Sequence, residues 1–139
     1  MKKLITVLVS AILFASTAQA GFGPFIEDVT VTDIGGGFTM VEGSLVGVRF
    51  TKDDTQQIGC RVRGDKGGAP NVRCAAIDIN ENVYFCFSFD AALIEAAKSI
   101  SPYSYVNFIY DGTGECYSLL ASTRSHHIPD KFTEKSKSK

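Results

Sequence analysis

Short runs of alternating apolar and polar residues, separated by turn-forming residues, recur between residues 25 and 124. Such period-two alternation is typical of strands with one buried face. Two interior glycines, Gly43 and Gly47, predict a bulge or bend within the second run. The pattern predicts strands over residues 25–32, 38–51, 57–63, 72–78, 83–89, 103–110 and 116–124.

The run at 83–89 is the most apolar, and it is followed by the one segment that reads as a helix. Its many aromatic residues predict a strand in the centre of the sheet, covered on at least one face. Asp90 fits a helix N-cap, and residues 91–100 contain four alanines and an apolar helical face. Pro102 ends this helix because it lacks a backbone N–H.

These elements together predict a β-rich α+β domain. It consists of a mostly antiparallel, curved sheet of about six strands, with one short helix at about residues 91–100. We see no internal repeat and no linker, so residues 21–130 are expected to form a single globular domain. A chain of this length can bury a hydrophobic core.

Residues 1–20 have the layout of a secretory signal peptide. The chain opens with two lysines after Met1, residues 4–14 are uncharged and mostly apolar, and residues 18–20 read Ala-Gln-Ala. A membrane anchor is the alternative, but it needs roughly 20 consecutive apolar residues, more than this segment offers. We therefore expect a bacterial protein exported to the periplasm or beyond, with no transmembrane segment in the mature chain.

The charge is distributed unevenly along the chain. The whole sequence has a net charge of −1, and residues 21–130 carry 8 basic and 14 acidic residues. Residues 131–139 contain four lysines and predict a flexible, basic, solvated tail, with weak attraction to anionic surfaces as the alternative. An acidic body lacks the basic face that nucleic acid requires, so nucleic acid is not expected as a partner.

The four cysteines predict two disulfides, because an even number in an exported protein is typical of cross-linked domains. Cys60 and Cys74 lie symmetrically about Gly67, which favours the pairing Cys60–Cys74 with Cys86–Cys116 among the three possible pairings. A zinc site usually has closely spaced cysteine pairs, whereas at least eleven residues separate the cysteines here. A reactive thiol is the other alternative.

No catalytic, metal-binding or cofactor-binding motif is recognisable. Residues 111–114 lack the end of a phosphate loop, and no helix follows the glycines at 35–37. Residues 78–82 begin like a calcium loop but are not followed by its required Gly and Glu. His126 and His127 are adjacent, and in an extended segment their rings would point to opposite sides.

Aromatic and basic residues are the candidates for binding a partner. Tyr103, Tyr105, Tyr110 and Tyr117 cluster on the predicted hairpin at 103–124, and tyrosine suits interfaces because it joins an apolar ring to a polar tip. Cross-strand packing within the sheet is the alternative. A second set, Arg61 and Arg63 together with Arg73, falls on the predicted hairpin at 57–78, either as a recognition patch or as an exposed face paired with carboxylates.

The sequence thus predicts a small exported, disulfide-stabilised, non-catalytic binding or interaction protein of the bacterial envelope or exterior, an inhibitor being one version. Its partner is expected to be a protein or an envelope component. One alternative is a small periplasmic enzyme that uses His126 or His127 with carboxylates gathered by the fold. The other is a structural envelope subunit joined through exposed strand edges.

Overall fold

The computed structural model describes residues 28–124. The predicted signal peptide, His126, His127 and the predicted basic tail lie outside the described residues. Between residues 28 and 124, seven strands form two antiparallel sheets. Numbered in chain order, the four-stranded sheet contains β1 (Thr30–Gly35), β2 (Phe38–Ser44), β6 (Tyr105–Asp111) and β7 (Cys116–Ser122), adjacent in that order. The three-stranded sheet contains β3 (Gln57–Arg63), β4 (Asn71–Ile77) and β5 (Val83–Ser88), also adjacent in that order.

Two helices connect the sheets: α1 (Leu45–Arg49) after β2, and α2 (Ala91–Lys98) after β5. The second confirms the helix predicted near residues 91–100. Its N-cap is Asp90, whose carboxylate accepts hydrogen bonds from the backbone N–H groups of Ala92 and Leu93 at 2.8 and 3.1 Å. The β-rich fold class with antiparallel pairing is therefore confirmed, as two sheets rather than one.

The strand predicted over residues 38–51 was wrong in its second half, which forms α1. Ser44 caps this helix, since its hydroxyl accepts a hydrogen bond from the Gly47 N–H at 3.2 Å. β2 pairs with β6 through Gly43 without the bulge predicted there, and a Cβ added at Gly43 would lie only 3.3 Å from Val48 and 3.4 Å from Ile58. The absence of a side chain there lets α1 turn back onto β2 and β3.

The core lies between the inward faces of the two sheets, with α2 packed against β3, β4 and β7. Phe108 is its largest fully buried side chain. Because sheet side chains alternate between faces, each strand contributes every second residue to this core. The buried core side chains include Val41, Val106, Phe108 and Leu119 from the four-stranded sheet, Ile58, Val72, Cys74 and Cys86 from the three-stranded sheet, and Ile94 and Ala97 from α2.

The preferred disulfide pairing, Cys60–Cys74 with Cys86–Cys116, is confirmed. The first bond links directly paired positions of β3 and β4. The second joins β5 to β7 and so connects the two sheets covalently. Nearby, the Phe87 N–H donates a hydrogen bond to the Gly114 carbonyl at 3.1 Å, which adds a backbone link between the same two sheets.

The disulfides and the helices bear on the cellular compartment of the protein. Two disulfides fit an oxidising compartment outside the cytoplasm. Over the described range, neither helix is long and apolar enough to cross a membrane.

We expect the two disulfides to contribute unequally to stability. Cys86–Cys116 closes the longer loop, with a sequence separation of 30 against 14 for Cys60–Cys74. Loops of these lengths correspond to about 4 and about 3 kcal/mol of stabilisation in the chain-entropy model. Replacing Cys86 and Cys116 by alanine should therefore lower the free energy of unfolding, measured in urea, more than replacing Cys60 and Cys74. The opposite order would contradict the role of Cys86–Cys116 as the link between the sheets.

Candidate functional site

The outward face of β5 exposes a row of apolar side chains about 20 Å long. Cys86 is held in the core by its disulfide, so the alternating positions Val83, Phe85 and Phe87 point outward, followed by Phe89. These four side chains are 64%, 55%, 41% and 61% exposed. The prediction that this strand lies centrally was wrong, because β5 is an edge strand of the three-stranded sheet, whereas the predicted covering of at least one face is confirmed.

Two arginines lie beside this row. Arg61 of β3 is directly opposite Arg73 of β4, and Arg73 is directly opposite Phe87. Like charges at paired positions repel one another, which is unfavourable for the sheet by itself. In the part of the chain that the structure describes, neither arginine has a carboxylate within ion-pair distance, whereas Arg63 pairs with Asp65 at 3.0 Å.

A trough lies on β3 and β4 between two rows of larger side chains. Its floor is the directly paired Gly59 and Ala75, two positions with almost no side chain, and the exposed Phe85 of β5 lies beside Ala75. The resulting cavity has a volume of about 510 Å³. One wall is the row Arg61 and Arg73, the other is the row Gln57, Ile77 and Val83, and all five residues line the cavity.

We call the outward side chains of β3, β4 and β5, together with Phe89, the Phe–Arg face. It is electrostatically different from the rest of the chain: its strand positions carry three arginines and no carboxylate, although residues 21–130 are acidic overall. Phe87 and Phe89 pack edge to face with ring centroids 6.2 Å apart, so neighbouring rings of the face support one another. The face therefore offers an apolar strip with adjacent positive charge.

The structure separates the four candidate tyrosines instead of gathering them. Tyr110 points into the core side of the four-stranded sheet and packs near Phe108, with centroids 6.2 Å apart. Tyr117 is exposed and packs against Phe38 with centroids 5.0 Å apart. Tyr103 is exposed in the loop before β6.

Tyr105 belongs to a hydrogen-bonded cluster on the outward face of the four-stranded sheet. Its hydroxyl donates to Glu42, which also accepts a hydrogen bond from the Asn107 side chain at 3.0 Å. Burial, reinforced by the Glu42 carboxylate, raises the pKa of Tyr105 to about 12. The cluster joins β2 to β6 and is consistent with the cross-strand alternative for this residue.

Two loops considered for chemistry are tight turns built on aspartate. The Asp78 carboxylate accepts hydrogen bonds from the Asn82 side chain and the Tyr84 hydroxyl, both at 3.0 Å, and from two backbone N–H groups. The Asn82 hydrogen bond lowers the pKa of Asp78. Asp111 accepts hydrogen bonds from Thr113, whose hydroxyl lowers the pKa of Asp111. These carboxylates hold the turns closed.

Sequence reasoning identified the arginines but missed the phenylalanines of this face. It placed the strand at 83–89 centrally, covered on at least one face, and did not say which face carries the phenylalanines. The available signal was the position of Cys86: once this cysteine is buried, every second residue from Val83 to Phe89 must face outward.

Exposure can be tested by comparing two phenylalanines. Replacing Phe85 by alanine should change the free energy of unfolding by less than about 1 kcal/mol, because exposed substitutions have small effects. Replacing the fully buried Phe108 by alanine should cost about 3–5 kcal/mol. Equal losses in chemical denaturation would mean that Phe85 is buried.

The raised pKa of Tyr105 predicts a specific dependence on pH. Because the folded pKa of about 12 exceeds the ordinary value of 10.0, the stabilising effect of the neutral hydroxyl is complete below pH 10 and disappears as the pH rises toward 12. In an absorbance titration of tyrosinate, Tyr105→Phe should remove the portion that ionises at the highest pH. Tyr117→Phe, the matched control, should leave that portion in place. An unchanged high-pH portion in Tyr105→Phe would contradict the Glu42 contact.

Comparison with known proteins finds no matching family model, no matching curated protein and no matching solved structure. The geometry and chemistry of the Phe–Arg face are what support a function for this chain.

Proposed function

We propose that this chain is an exported, non-catalytic binding module that holds its partner on the Phe–Arg face. One observation carries the proposal: Val83, Phe85, Phe87 and Phe89 form an exposed row beside arginines without carboxylate partners among residues 28–124. Contiguous apolar surface of this kind marks interaction sites. Aromatic residues and arginine are also the types enriched where binding energy concentrates.

The composition of the face indicates the chemistry of the partner. The phenylalanines favour an apolar surface, and Arg61 and Arg73 favour carboxylate or phosphate groups next to it. A second copy of the chain fits poorly, because a twofold interface would bury the same patch twice and so gather Arg61 and Arg73 of both copies with no carboxylate from the strand positions of the face. We therefore propose a protein or an envelope component that presents apolar and acidic groups together.

The covalent chemistry and the N-terminal sequence support a place of action outside the cytoplasm. The disulfides favour an oxidising compartment, and the pattern of residues 1–20 favours export through a signal peptide. We propose that the mature domain works in the periplasm or outside the cell.

A non-catalytic role is supported by where the perturbed ionisable groups lie. Asp78 and Asp111 are acceptors within turns, and Tyr105 is bound to Glu42 on the other sheet. None of these three side chains lines the trough, although Asp78 directly follows Ile77 of its wall, and the polar side chains of the trough are arginines and a glutamine. Guanidinium groups stay protonated near neutral pH and serve binding better than proton transfer.

The binding face can be located by site-specific photo-crosslinking in cells that express the full chain. A photoreactive phenylalanine analogue at position 85 should give a discrete adduct with an envelope component. The same analogue at position 117, exposed on the other sheet, is the matched control and should give none. The adduct at 85 should fall at least tenfold when Arg61 and Arg73 are changed to glutamine, because the charges lie next to the site.

Two outcomes of this experiment would overturn the proposal. An adduct at position 117 without one at 85 would place binding on the tyrosine side of the protein. An adduct at 85 that is insensitive to both arginine substitutions would remove the charged part of the recognition surface.

A further inference from the structure

We infer that the trough on the Phe–Arg face binds a single-chain anionic amphiphile. Arg61 and Arg73 would hold its carboxylate or phosphate, and Ala75, Ile77 and Val83 would contact its apolar chain. This inference rests on the proposed function, since it names a ligand class for the same face.

The charged wall provides a site for one anionic group. Arg61 and Arg73 occupy paired positions on adjacent strands, so their Cβ atoms are about 5 Å apart and both guanidinium groups can reach the same anion. Each guanidinium presents a planar fork that matches carboxylate or phosphate oxygens. An anion placed between them also relieves the repulsion of two like charges, which no carboxylate among residues 28–124 does.

The dimensions of the trough suit one hydrocarbon chain. Its two walls are four residues apart along each strand, about 13 Å between backbone positions, and the side chains of the walls narrow this space. Gly59 and Ala75 form a floor of small residues, and the Leu45 side chain borders it at Gly59, 3.7 Å from where a Cβ would lie. The cavity of about 510 Å³ falls in the range of about 300–1,000 Å³ that is typical of small-molecule sites.

Other occupants match the site less well. A flat bilayer surface would contact the tips of the exposed phenylalanines but would not enter the recessed floor at Ala75. The C-terminal residues 131–139 are lysine-rich and would be repelled by Arg61 and Arg73. An amphiphile with one negatively charged head satisfies both the charged and the apolar walls.

The test uses the mature full chain and three probes at concentrations below micelle formation: dodecanoate, dodecyltrimethylammonium and butanoate. In isothermal titration calorimetry, dodecanoate should bind at least tenfold more tightly than either of the others. The cationic probe has the same chain but the wrong charge. Butanoate has the right charge but a short chain, and each buried methylene strengthens binding roughly fourfold.

Variants assign the binding to the trough. Arg61→Gln with Arg73→Gln should weaken dodecanoate binding at least tenfold, and Ala75→Leu should do the same by filling the floor. Arg49→Gln removes one exposed positive charge outside this face and should leave the affinity within about twofold. Circular dichroism checks that each variant is folded, and the arginine variants decide the question if Ala75→Leu does not fold.

Several binding results would contradict the inferred amphiphile site. Equal affinity for dodecanoate and dodecyltrimethylammonium, or an unchanged affinity in the double arginine variant, would overturn the inference. So would binding to phosphatidylglycerol vesicles without binding to monomeric dodecanoate, which would favour a bilayer surface instead. Failure of dodecanoate to bind, combined with a persistent arginine-dependent adduct at position 85, would remove this ligand and leave the proposed function standing.

Discussion

The Cys86–Cys116 disulfide determines which side of β5 faces solvent. Cys86 must point inward to reach Cys116 on the other sheet, so its neighbours in the strand must point outward. A one-residue shift in register would bury the phenylalanines but would break the covalent link between the sheets. The exposed row of Val83, Phe85 and Phe87 is therefore a consequence of the same bond that holds the two sheets together.

The arginines depend on the second constraint, the register of the β3–β4 hairpin. Cys60 pairs directly with Cys74, so the next positions, Arg61 and Arg73, must also be opposite each other and on the outward face. Nearby, Gly59 and Ala75 pair in the same way and open the trough. The two disulfides thus place three features on one surface. The apolar side chains run along β5, and the two arginines and the small residues Gly59 and Ala75 are paired across β3 and β4. This alignment is what makes binding the function that the geometry favours.

Local signals in the sequence predicted most of the secondary structure, the Asp90 cap and the disulfide pairing. The α1 helix was missed because five residues are too few to establish a helical period. Its N-cap, Ser44, is also no clear signal, since a serine can equally belong to a strand. The pairing of β2 with β6 joins residues more than sixty positions apart, so no local sequence pattern indicates it. The sequence left open which face of β5 carries the phenylalanines, because hydrophobicity alone does not tell which face of a strand is buried. For the candidate site, the arginines could be found from the sequence, but their alignment with the apolar row required the register of both strand pairs.

The proposed binding mode requires that Phe85 and Phe87 are exposed in the free protein and covered when a partner is bound. Hydroxyl-radical footprinting read by mass spectrometry measures this directly, with Tyr117 as the reference side chain. We expect both phenylalanines to be oxidised readily in the purified mature protein and to become protected in the intact cell envelope, while Tyr117 changes little. Phenylalanines that are protected already in the purified protein, or equally reactive in both settings, would contradict it.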